Sequence, residues 1–70
     1  MKSIYIHLQI NSTKEEHCYF EKFNNQGEVI TTSKIVMAMG FKNEREARIV
    51  ANRIQRLEPN KFKSVEVHDF

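Results

Sequence analysis

One stretch of this chain carries apolar residues at helical spacing, and the same stretch holds every arginine. Between Asn43 and Glu58, the residues Ala47, Val50, Ala51, Ile54 and Leu57 fall at helical intervals. At about 100° per residue they make one stripe, so the spacing predicts an amphipathic helix with that stripe turned to a core. The ends are marked as well. Asn43 is a good N-cap, and Glu46 three positions later gives a capping-box pattern. Pro59 and Asn60 stop the helix.

The rest of the patterned sequence has period two. Ile4, Ile6, Leu8 and Ile10 alternate with Tyr5, His7 and Gln9, which predicts a strand with one apolar face. Asn11 to Glu16 is polar and turn-prone. A second strand covers about His17 to Phe23, with Cys18 and Phe20 as the better inward phase. Asn24-Asn25-Gln26-Gly27 is a turn, and Glu28 to Ser33 is a third strand rich in β-branched residues. Ile35 to Phe41 either extends that strand or crosses the sheet end as an apolar connector, broken at Gly40. Phe62 to His68 alternates again and forms a fourth strand. The expected fold is α+β, in the order β-β-β-α-β. An antiparallel meander carries one helix on one face, and a C-terminal strand runs parallel to the first or the third strand, with the edge beside the first favoured.

Seventy residues make a single domain, 1–70. A chain this short buries a modest share of its surface, and natural domains of the size often add a disulfide, a metal or a partner chain. Cys18 is the one cysteine, so no intrachain disulfide forms, and a lone thiol suits a reducing, cytoplasmic setting. A single well-made core or a homodimer remains. No apolar run has the length of a signal sequence or a membrane span. Asn11-Ser12-Thr13 matches a glycosylation sequon but reads as a polar loop. The net charge of +2 is mild and does not by itself argue for nucleic acid.

Within the helix, Arg45, Asn52 and Arg56 point away from the stripe, Arg48 and Arg53 flank them, and Ile49 sits among them on the solvent side. Glu44 and Arg48 form an i,i+4 pair, while the other three arginines lack an acid at i±4. Arginine brings a planar fork that holds carboxylate or phosphate with two bonds, which lysine cannot do. The candidate anion- or partner-binding face is therefore Arg45, Arg48, Ile49, Asn52, Arg53 and Arg56. A solvated, ion-paired surface is the plainer alternative. A protein with an acidic surface is the favoured partner, because Ile49 and the apolar Ile35 to Met39 segment accompany the charge. Met37 and Met39 read first as core filling and second as adaptable contacts.

The opposite sheet face gathers Tyr5, His7 and Gln9 with His17, Tyr19 and Glu21, joined by Glu66 and His68 if the last strand is adjacent. Tyr5, His7 and Tyr19 are the candidate sheet-face contacts, either for unpaired bases or for a second copy. The histidine spacing matches no metal-ligand pattern, so no metal or cofactor is expected. Cys18 and His17 alternate across a strand and cannot act together, so Cys18 reads as a small buried thiol. Glu15 and Glu16 fall in a loop with no partner implied. No catalytic residue is assigned, and an enzyme is not expected.

Gly40-Phe41-Lys42-Asn43-Glu44-Arg45-Glu46-Ala47, following three strands, resembles a junction in the arm-site DNA-binding domains of tyrosine recombinases. That resemblance spans the junction alone and implies a sheet that contacts a DNA groove. In size, composition and lack of catalytic motifs the chain is similar to small accessory proteins of phages and prophages, which implies docking on a host protein. The leading expectation is thus a non-enzymatic binding protein that docks through its arginine-bearing helix. The alternative is a nucleic-acid-binding module using the same arginines with the outer sheet face.

Overall fold

A computed structural model describes residues 1–9 and 13–69. The expectations for the Gln9 side chain, Ile10, Asn11 and Ser12 lie outside the described residues. The elements run β1 (Lys2–Gln9), β2 (Glu15–Phe23), β3 (Val29–Thr32), a 3-10 turn (Ile35–Met37), α1 (Glu44–Leu57) and β4 (Phe62–Asp69). The strands form one antiparallel sheet in the order β3-β2-β1-β4, with α1 packed on one face. This is the α+β arrangement the sequence implies. The Asn43 side chain caps α1 by accepting from the Glu46 N–H at 2.9 Å. The helix stops at Leu57 because Pro59 disfavours helical geometry at Glu58, whose φ and ψ are −132° and 62°.

β4 takes the edge beside β1, as expected, but runs antiparallel to it rather than parallel. The connector explains the reversal. Ile35 to Phe41 is not a continuation of β3. It carries the chain back to the start of β1, where Phe41 and Lys2 exchange two backbone hydrogen bonds of 2.9 Å. α1 therefore begins where β1 begins and rises beside it, so the next strand must descend.

That connector also closes a gap in the sheet. β1 and β2 pair from Tyr5↔Tyr19 to Gln9↔Glu15 and then part. Into the cleft come Met39, whose N–H donates to the Phe20 carbonyl at 3.0 Å, and Phe41, bonded to Lys2. Backbone groups at the split thus find partners. Glu15 and Glu16, expected in a loop, belong to β2 and pair with Gln9 and Leu8. Glu15 is not partnerless, since it forms an ion pair with Lys63 of β4.

The core is Ile4, Ile6, Cys18, Phe20, Phe41, Ala47, Ala51, Ile54 and Phe62. Two bulges complete it. Phe20 and Phe23 lie three residues apart on β2, so strict alternation would put them on opposite faces. A register shift at Glu21 returns Phe23 to the inner face, its ring 4.9 Å from that of Phe20. In β4 the shift at Lys63 does the same for Phe62 relative to Val65. Core filling does not hold for the connector methionines. Met37 and Met39 are exposed, and Val36, between Ile35 and Met37, is 83% exposed.

Substituting Phe20, fully buried, by Ala is expected to cost about 3–5 kcal/mol and leave the domain largely unfolded. Asn43→Ala removes a cap alone and should cost about 1 kcal/mol. Urea titrations followed by circular dichroism check both, with the Asn43→Ala midpoint lowered and the slope unchanged.

Candidate functional site

All four arginines are exposed on α1, as the periodicity implies. Arg48 pairs with Glu44, Nε to Oε2 at 3.3 Å. Among the described residues, Arg45, Arg53 and Arg56 have no acidic partner. Arg53 is not idle, because its guanidinium carbon lies 4.7 Å over the Phe23 ring. Stacking occupies the guanidinium's face and leaves its in-plane N–H donors available.

The helix does not sit centrally. It packs on β4 and β1; Phe41 joins the buried Cys18 and Phe20 of β2, and the Phe23–Val29 end of the inner face is left only partly covered. A groove of about 400 Å³ opens there, lined by Phe23, Ile49, Val50, Arg53, Arg56 and Leu57. Its floor is apolar and two arginines stand beside it. Leu57, assigned by periodicity to the core stripe, is 48% exposed on the groove side, and Val50 is half-buried. The stripe that does seat α1 is narrower: Ala47, Ala51 and Ile54. Ile49 is 61% exposed, on the solvent side as expected.

The six candidate residues of the helix therefore divide. Ile49, Arg53 and Arg56 converge on the groove, while Arg48 and Asn52 line a smaller, polar hollow against β4, near Val65 and Val67. Arg45 lines neither. Sequence reasoning missed Phe23, Val50 and Leu57 as lining residues. For Phe23 the one available signal was its three-residue spacing from Phe20.

The other face of the sheet brings together Tyr5, His7, His17, Tyr19 and His68. Tyr5 on the central strand stacks with His17 and His68, at ring centroid distances of 5.3 and 4.6 Å, and meets His7 and Tyr19 edge-on. His7 and His17, directly opposite in register, are 4.3 Å apart. Glu66 sits between two imidazoles, with Oε1 3.1 Å from His68 Nε2 and Oε2 3.6 Å from His7 Nε2. Ser64 Oγ donates to the same carboxylate at 3.2 Å. Glu21, expected on this face, is instead the bulge residue of β2. Arginines and ring cluster lie on opposite sides of the sheet, so no single flat surface joins them.

Cys18 is buried beside Phe20, and burial pushes its thiol up, opposed by a hydrogen bond with Thr31. Among the described residues no group of three or more potential ligands is placed to hold a metal ion, and no helix is long and apolar enough to cross a membrane. The chain matches no protein-family model, no curated protein and no solved structure.

The hydrogen bond with His68, then that with Ser64, holds the Glu66 carboxyl below its ordinary value of 4.5. A carboxylate with a depressed folded pKa adds stability that is complete above the unfolded pKa and is lost as pH falls through the folded one. Glu66→Gln should therefore lower stability at neutral pH and flatten the acid limb, so that variant and parent converge as the pH falls through the folded pKa. Urea midpoints measured from neutral pH down through the carboxylate range check this. A variant with an acid limb as steep as the parent's would contradict it.

Proposed function

We propose that this chain is a non-enzymatic binding protein that docks on another protein through the arginine-bearing flank of α1. One observation carries the reading: Arg53 and Arg56, free of acidic partners among the described residues, border an apolar groove that Ile49 and Leu57 leave open. Cationic forks beside an exposed apolar floor suit a surface with carboxylates around an apolar centre. Size and composition agree with the small accessory proteins of phages and prophages that the chain resembles, and a host protein is the partner that resemblance suggests. Nucleic acid is the second reading, favoured by the same unpaired arginines, which could neutralise phosphates.

The test is a pull-down from lysate with and without nuclease, using the parent and an Arg45→Ala, Arg53→Ala, Arg56→Ala variant. Losing the Arg53–Phe23 stacking and the helix-end charge of Arg56 should cost about 1 kcal/mol of stability, so the variant remains folded. Protein retention that survives nuclease and vanishes in the variant is the expected result. Nuclease-sensitive retention with steep salt dependence selects nucleic acid. Retention unchanged in the variant removes the helix flank from either reading.

A further inference from the structure

We infer that the groove seats an amphipathic α-helix contributed by the partner protein, lying alongside α1 over the open Phe23 end of the sheet. The inference rests on the docking role proposed above and names what docks. Its first ground is width. Strands lie about 4.8 Å apart and a helix is about 10 Å across, so one helix covers about two strands. α1 takes β1 and β4, and the other half of the inner face is closed at Cys18 and Phe20 by Phe41 but open at its Phe23–Val29 end, beside the C-terminal half of α1. Phe23 and Val29 on that half are only partly buried.

The second ground is the flank of α1 itself. Val50, Arg53 and Leu57, with Ile49 beside them, line the open side over two helical turns. These are i, i+3 and i+7 positions, the row against which a neighbouring helix packs. A ligand held by the sheet edge would instead meet the backbone of β3, which is not part of the groove lining.

Charge fixes the character of the occupant. Arg53 and Arg56 lie toward the C-terminal end of α1, whereas Glu44 and Glu46 lie in its first turn. The occupant then carries an apolar stripe flanked by carboxylates where it passes Arg53 and Arg56. A second copy's α1 paired about the centre of the groove fits poorly, since it would set Arg53 against Arg53 and leave its acids, Glu44 and Glu46, beyond the groove's end.

The full chain, labelled with ¹⁵N, is titrated with a synthetic peptide of about four helical turns, bearing leucines at helical spacing and glutamates beside the stripe at one end. Expected are amide shifts centred on Phe23, Val29, Ile49, Val50 and Leu57, with a gain of peptide helicity by circular dichroism. Arg53→Glu with Arg56→Glu should weaken binding about tenfold, and a peptide with lysines in place of those glutamates should recover it. The inference is overturned if the peptide fails to bind, binds without becoming helical, shifts residues elsewhere, or shows no charge-swap recovery. It is also overturned if a scrambled peptide or dodecanoate occupies the groove equally well. Should the arginine variant lose its partner in the pull-down while the peptide fails, the docking flank stands and the helical occupant falls. If neither measurement depends on the arginines, both fall.

Discussion

Two alanines set how close α1 comes to the sheet. Ala47 and Ala51 are buried with Ile54 against Ile4, Ile6 and Phe62. Side chains so small bring the helix backbone down onto β1 and β4, and the tight seat there leaves no reach toward β3. Phe20 and Cys18 on β2 are still buried, within a cluster where Phe41 supplies a ring from the connector. The molecule thus closes its centre with a loop aromatic and leaves one margin of the inner face open. The exposed Leu57 and half-buried Val50 follow directly from that off-centre seat.

The bulge at Glu21 links this packing to the candidate site. Without it Phe23 would fall on the outer face among the histidine and tyrosine rings. With it, Phe23 packs on Phe20 and offers its other surface to Arg53. The ring therefore serves as the edge of the core and the floor of the groove together. Lys63 plays a parallel part in β4, turning Phe62 inward, and the Gln55 side chain donates to the Phe62 carbonyl at 3.3 Å to join the helix end to that strand. Both bulges fall at charged residues, which remain solvated while the aromatic neighbour is re-aimed.

Local features were legible in the sequence wherever one interaction decided them. The Asn43 cap, the stop before Pro59, the inward phase of Cys18 and Phe20, the Glu44–Arg48 pair and the solvent position of Ile49 all depend on spacing within one element. The direction of β4 was not legible, because it depends on the path of Ile35 to Phe41 through the split between β1 and β2. Leu57 misled for a related reason. Its angle on the helix is that of a core residue, but a core position also needs a sheet beneath it. Glu15 looked unpartnered because its partner, Lys63, is brought near only by the placement of β4 beside β1.

The separation of the two polar surfaces bears on which partner class the molecule suits. The outer face satisfies its own chemistry, with Glu66 between His7 and His68 and the rings stacked on one another. The groove side does not. Among the described residues Arg53 and Arg56 have charge without acids, and Ile49 and Leu57, with the half-buried Phe23, leave apolar surface open. A phosphate backbone would answer the first need and leave the second, since it offers nothing apolar to bury. An apolar stripe edged with carboxylates answers both at once. Removing the aliphatic and aromatic floor from water would also strengthen the adjacent guanidinium–carboxylate bonds, by lowering the local dielectric around them. Charge and burial then reinforce each other only when the partner is itself amphipathic, which is why the protein reading is the stronger of the two.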